Sequence, residues 1–166
     1  MPSTTIEPIA RSHLDCVHEY ASDPIISDTS NVPNPYTREM ADDWFAAVTT
    51  RQKQGISKVF AILHDGNFAG VISLNRINAE SGTADVDFWV AVPYQNKGVA
   101  TAAIGEVITY AKSKLGLKIL TSGGLARNSA THAVQSKNGF EVVEQFQLKE
   151  GKFAGEDYLI SRLQLD

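Results

Sequence analysis

The sequence predicts an α/β (α+β) fold: a mixed, mainly antiparallel sheet of about seven strands flanked by about four helices. Three observations carry this. Short apolar runs with period-two alternation recur along the chain. The turn "HDGN" holds an Asp-Gly pair between two such runs, a strong hairpin signal. Between Thr83 and Thr121 a strand, an amphipathic helix and a second strand follow one another, which implies a parallel crossover. With 166 residues, 43% of them hydrophobic, the chain can bury one sizeable core but hardly two, so a single domain over residues 1–166 is expected.

Thr4 to Pro8 reads as the first strand. Arg11 to Ala21 reads as a short helix with Leu14, Val17 and His18 on one face. "SDPIISDTSNVPNPYT" follows, where Asp, Ser, Asn and Pro prevent regular structure over most of its length. Thr37 is a good N-cap for a helix from Arg38 to about Lys53, with Met40, Trp44, Phe45 and Val48 facing inward and Gly55 ending it. Lys58–Leu63 and Phe68–Ile77 form the hairpin around "HDGN", and Ser81-Gly82 turns the chain into Thr83–Val92. Ala100, Ile104, Ile108, Ala111 and Leu115 recur at helical spacing from Gly98 to about Lys114. Leu117–Thr121 is a short buried strand, and Asn128–Asn138 a helix stopped by Gly139. Phe140–Leu148 and Asp157–Leu165 close the chain as two strands. There are no repeats or low-complexity tracts.

Composition excludes several classes. The net charge is -4 and Lys and Arg are scattered, so the basic footprint of a nucleic-acid binder is absent. No apolar run approaches the roughly 20 residues needed to cross a bilayer, and no signal-peptide pattern opens the chain. Cys16 is the one cysteine, which excludes an internal disulfide and fits a reducing compartment. The expectation is a cytoplasmic protein without a membrane or nucleic-acid partner. His13, His18, His64 and His132 have no metal-site spacing, so no metal is expected.

Two stretches carry candidate chemistry. In "DFWVAVPYQNKGVATAAI" the polar turn Gln95-Asn96-Lys97-Gly98 leads into a helix, whose N-terminus presents unpaired amides and the positive end of a dipole. Gly98 permits close approach and Lys97 adds charge. The turn is therefore either an anion site or an ordinary strand-to-helix connection. It is neither a Walker loop nor a dinucleotide fingerprint. In the preceding strand, alternation puts Val86, Phe88, Val90 and Val92 on one face and Asp85, Asp87 and Trp89 on the other, with the carboxylates about 7 Å apart. At a sheet edge they would be solvated; mid-sheet they must open on a cleft.

Three segments resemble the GNAT superfamily of acyl-CoA-dependent N-acetyltransferases, in its RimJ/RimL-type branch of ribosomal-protein N-terminal acetyltransferases. They are "VPNPYT", then "ADVDFWVAVPYQNKGVATAA" with Q/R-x-x-G-x-G/A at Gln95, Gly98 and Ala100, and "NSATHAVQSKNGF" with Asn128, Thr131, Lys137, Gly139 and Phe140. The likeness covers nearly the whole chain. It implies acetyl-CoA as co-substrate. The pyrophosphate would rest on the turn Gln95, Asn96, Lys97, Gly98, Val99, Ala100 and Thr101. The pantetheine arm would run beside Val90, Ala91 and Val92 and bond Asn128, with Lys137 among the coenzyme contacts. Asn128 has helix capping as its other reading.

The implied reaction is attack of a primary amine on the thioester, with the oxyanion held by the strand N–H of Val90 or Ala91. Asp85 is expected as the base that takes the ammonium proton, ahead of Glu150. Asp87 is expected to bind the ammonium or to repel a proton from its neighbour rather than to act as the base. Many superfamily members carry a proton-donating Tyr where Gln135 stands here. Thr131 can hydrogen-bond the sulfur instead, or merely pack near Asn128; a thiolate with a pKa of about 8.5 also leaves without an acid. Tyr36 and residues 22–35 are expected to wall the acceptor cleft. The acceptor is a protein N-terminus or a small amine. The alternatives are a non-catalytic acyl-CoA-binding module and an unrelated nucleotide-phosphate binder. Either a monomer or a homodimer is compatible, the latter by pairing of an exposed last strand.

Overall fold

A computed structural model describes residues 3–166. Seven strands, β1 (Thr4–Pro8), β2 (Lys58–His64), β3 (Asn67–Asn78), β4 (Thr83–Val90), β5 (Ile119–Leu125), β6 (Glu141–Gln147) and β7 (Asp157–Gln164), form one sheet in the order β1-β2-β3-β4-β5-β7-β6. Every neighbouring pair is antiparallel except β4 and β5. That parallel pair is joined by the crossover helix α4 (Val99–Ser113), in the numbering that takes α1 as Leu14–Ala21, α2 as Pro24–Thr29 and α3 as Arg38–Lys53, with α5 (Ser129–Lys137) after β5.

Each face of the sheet has its own core. The α4 face buries Ala103, Ile104, Val107 and Ala111 against Ile62, Ile72, Leu74, Val86 and Leu120. The opposite face packs Val17 of α1 and Ala41 and Val48 of α3 against Val59, Ala61 and Val71. Each of the larger aliphatic side chains contributes about 1.5–3 kcal/mol by leaving water. β4 lies between β3 and β5, so its two acids are not on a sheet edge.

The structure departs from the sequence reading in several places. The segment after α1 holds a short helix, α2, because the Asp23 carboxylate accepts from the Ile25 N–H at 3.0 Å and Pro24 sits at the first helical position, where no N–H is required. Residues Arg11–His13 form a 3-10 turn ahead of α1. In α3, Ala41 is buried in place of Met40, which is exposed, while Val48 is buried and Trp44 and Phe45 pack against the core as expected. β4 ends at Val90, and Val92–Tyr94 form a 3-10 turn. β5 runs on through Gly123 and Gly124 because β7 supplies antiparallel partners for both. The last strand is interior: β7 lies between β5 and β6, so the exposed edge is β6, where Val142 and Val143 stand in solvent. Among the described residues no helix is long and apolar enough to cross a membrane.

Gly70 on β3 is a close approach. A Cβ there would stand 2.2 Å from the Trp89 carbonyl oxygen, beside the end of β4. Gly70→Ala is expected to destabilise the fold by about 1–3 kcal/mol, as overpacking does, read as a lower urea midpoint with an unchanged slope.

Candidate active site

Pairing between β4 and β5 stops early. Only Thr83↔Ile119, Ala84↔Leu120 and Asp85↔Thr121 are in register, after which the strands diverge. At the apex the Ser122 hydroxyl donates to the Val86 carbonyl at 2.9 Å, and buried Gln135 donates through Nε2 to Ser122 Oγ at 3.0 Å and to the Gly123 carbonyl at 3.2 Å. Side chains thus satisfy main-chain groups that the ladder no longer reaches.

Strand alternation determines which β4 amides face the opening. The Ala91 N–H donates to the Ala69 carbonyl at 2.7 Å, and the Asp87 carbonyl accepts from Ser73, both toward β3. The Val86 carbonyl points to β5. Phe88 and Val90 therefore direct their main-chain groups into the gap, and the Val90 carbonyl accepts from Gln95 Nε2 at 2.9 Å. Ala91 is removed as an oxyanion donor because its proton is already shared. The Phe88 N–H faces the gap instead, on a residue that its apolar side chain gave no reason to single out.

The gap opens at its wide end onto the start of α4. Gly98, at φ 77°, is the N-cap residue, and Asn96, at φ 62°, makes the turn before it. The Ala102 N–H bonds the Gly98 carbonyl at 3.1 Å, so the amides of Val99, Ala100 and Thr101 have no partner within the helix. A Cβ at Gly98 would meet nothing within 4 Å. Free amides, the helix dipole and open space together form an anion cradle.

A cleft of about 1560 Å³ links the cradle, the gap and the α1–α3 face of the sheet. Of the expected site residues, Tyr36, Asp87, Val90, Gln95, Asn96, Gly98, Val99, Ala100, Thr101, Asn128, Thr131, Lys137 and Glu150 line it. Asp85, Ala91, Val92 and Lys97 do not line it. Val92 leaves because β4 ends two residues before it. Asn128 caps α5, its Oδ1 accepting from the Thr131 N–H at 3.3 Å, while still facing the cleft.

The two β4 carboxylates have different surroundings. Asp85 accepts from the Thr121 hydroxyl and is ion-paired with Arg76, which sits on a bulge of β3 at φ 47°. Asp87 faces the cleft and accepts from Asn75 Nδ2 at 2.8 Å. The Ser57 hydroxyl donates to Asn75 Oδ1 at 3.0 Å, which turns the amide nitrogen toward Asp87. Asp87 is open to water but walled by protein, and this desolvation raises its pKa above the ordinary carboxylate value; the Asn75 hydrogen bond opposes the rise and the Asp85 charge adds to it.

Across the cleft from the cradle, the segment between α1 and α3 is tied to the β6–β7 hairpin. Lys152 Nζ donates to the carbonyls of Ser30 and Val32, each at 3.0 Å, and to that of Ser27. Arg127 bonds Asp28 at 3.0 Å and Glu156 at 2.6 Å. Tyr36 and Glu150 stand on the two tied segments, and burial pushes the Tyr36 phenol pKa up. The contacts of Lys152 join residues more than 100 positions apart, so spacing offered no sign of them. Among the described residues no group of three or more His, Cys, Asp or Glu is placed to hold a metal.

Comparison with known proteins places this geometry. A family model described as "Acetyltransferase (GNAT) domain" matches residues 4–141. The putative ribosomal N-acetyltransferase YdaF of Bacillus subtilis is 30% identical over 134 residues, spanning 80% of this chain and 63% of that protein, so the chain covers less than two thirds of that relative's length. Among solved structures, the RimL ribosomal L7/L12 alpha-N-protein acetyltransferase in complex with coenzyme A superposes with a TM-score of 0.91 at 17% identity, covering 99% of this chain and 95% of the other. The spermidine N-acetyltransferase of Vibrio cholerae, in complex with CoA and spermine, gives 0.84 at 17% identity, covering 97% and 95%. The sheet order, the parted β4–β5 pair, the glycine-capped α4 and the family match agree: the chain belongs to the GNAT acetyltransferase family, with its likeness on the RimJ/RimL-type side of it.

Proposed function

We propose that the protein is an acetyl-CoA-dependent N-acetyltransferase, acting as one unit in the cytoplasm on a primary amine. The observation that carries this is the gap between β4 and β5, which ends in the anion cradle of α4. Pyrophosphate rests on the amides from Asn96 to Thr101, and the charge of Lys97 acts on it from outside the cleft. The pantetheine arm lies along β4, exchanging hydrogen bonds with Val90 and Asn128, and Lys137 stands near the coenzyme. The thioester then lies beside Phe88, whose N–H is turned toward the oxyanion formed on attack.

Asp87 takes the ammonium proton. It faces the cleft, is oriented by Asn75 and has a raised pKa. Asp85, ion-paired and outside the cleft, holds Arg76 and Thr121 in place. Glu150, across the cleft, meets the acceptor, and Thr131 packs beside the sulfur. Asp87, Glu150 and the wall of Tyr36 suit a cation with some apolar body. A protein N-terminus and a small polyamine both have that character, as the acceptors named for RimL and for the Vibrio enzyme do.

Thiol release from acetyl-CoA, measured against a panel of peptides differing in their first residue, amino acids, polyamines and aminoglycosides, tests activity and acceptor class together. Release with one class and not the others is expected. The locking of Gln135 onto Ser122 and Gly123, at the position where many relatives carry a proton donor, favours a second reading as a non-catalytic acyl-CoA-binding module. Tight acetyl-CoA binding with no release for any amine would select it.

A further inference from the structure

The departing coenzyme sulfur carries negative charge, and a proton placed beside it speeds collapse of the tetrahedral intermediate. Gln135 cannot supply that proton, since its amide is spent on Ser122 and Gly123. A different hydroxyl stands at the gap. If the β4–β5 ladder continued past Asp85↔Thr121, Gly123 would be the residue opposite Asp87. The space that a Gly123 side chain would fill is taken by Tyr158 of β7: a Cβ on Gly123 would stand 2.4 Å from the Tyr158 hydroxyl oxygen.

Tyr158 lines the main cleft and also the small polar recess beyond it that contains Asp85, Asp87 and Arg76. Its ring is held by Phe146 of β6, 5.7 Å away centroid to centroid. No side-chain hydrogen bond engages its hydroxyl among the described residues. Asp87 and this phenol therefore occupy opposite walls of the gap into which the thioester must fit.

We propose that Tyr158 is the proton donor to the leaving thiolate, working across the β4–β5 gap from Asp87. This rests on the acetyltransferase reading given above. The neutral amine nitrogen forms its bond to the thioester carbon while the carbonyl pair moves to oxygen. On collapse the carbon–sulfur bond breaks, and the sulfur takes the Tyr158 proton. Asp87, having passed the ammonium proton on to water before attack, takes the proton then lost by the bonded nitrogen and hands it to the phenolate, so the products are a neutral amide and a neutral thiol. The charged groups facing the phenol are Asp87, Asp85 and Arg76; burial first, then the two carboxylates, raise its pKa, so the phenol carries its proton in the resting site.

Tyr158→Phe removes one oxygen and leaves the ring. It is expected to lower kcat about 100-fold, with the Kd of acetyl-CoA, the KM of the acceptor and the melting temperature near wild type. In the complex with free CoA, the thiol should titrate with a midpoint about one pH unit higher in the variant, because the thiolate loses a hydrogen bond. Gly123→Ala should reproduce the loss of kcat by displacing the hydroxyl, and the double variant should be no slower than the worse single one. Unchanged kcat, or a rise in acceptor KM alone with an unmoved thiol titration, overturns the proposal. Failure of the wild type to bind acetyl-CoA would instead defeat the acetyltransferase reading on which it rests.

Discussion

Asp87→Asn should lower kcat by about 10²–10⁴-fold while leaving acetyl-CoA affinity within about twofold of wild type. The carboxylate faces the cleft, while the anion cradle lies along the gap at the start of α4, so the substitution separates chemistry from binding. Asn keeps an oxygen that can accept from Asn75, so orientation survives and basicity is lost. Asp85→Asn is the contrasting variant: its carboxylate is engaged by Arg76 and Thr121, and its loss should cost far less turnover. Equal losses at the two positions, or a larger one at Asp85, would return the role of base to Asp85.

The pH dependence has a definite sign. Desolvation raises the Asp87 pKa above the ordinary aspartate value of about 3.9, and a base works only when ionised. The acid limb of kcat should therefore fall at a pH above that value and disappear in Asp87→Asn. The same shift bears on stability. A carboxylate whose pKa is higher in the folded state binds more protons there than in the unfolded chain, so stability declines as pH rises through the interval between the two values. Above that interval the ionised group opposes folding. Asp87→Asn should accordingly melt higher than wild type at pH 7, the stability cost of the ionised base having been removed.

Gly98→Val should raise the Kd of acetyl-CoA by about 10- to 100-fold, corresponding to about 1.4–2.8 kcal/mol. At φ 77° the residue is left-handed, a conformation that costs an L-residue about 1–2 kcal/mol and a β-branched one more. A Cβ meets no protein atom, so no clash opposes it; the turn relaxes instead and carries the amides of Val99 to Thr101 away from their common focus. Gly98→Asn, which tolerates this region, should lose less. Calorimetric titration with acetyl-CoA measures both, and an unchanged Kd for Gly98→Val would remove the cradle from the coenzyme site.

Most of the fold was legible because its signals are local. Period-two strands, the Asp-Gly hairpin and the Gly98 turn into α4 are short-range preferences, and the tertiary structure agrees with each of them. The errors came where a distant partner decided. α2 forms in a segment dominated by loop-forming residues, with Lys152 and Arg127 anchoring it from more than 90 positions away. β5 extends over two glycines because β7 pairs with them.

The chain by itself determined seven strands, the helix that crosses between β4 and β5, the glycine that opens it, and the presence of two carboxylates on one face of β4. Spacing cannot say what stands opposite a side chain, because that depends on strands brought together by the whole fold. Only the folded sheet assigned Arg76 and Thr121 to Asp85, left Asp87 open to the cleft, turned the Phe88 amide into the gap, and laid the Tyr158 hydroxyl over Gly123.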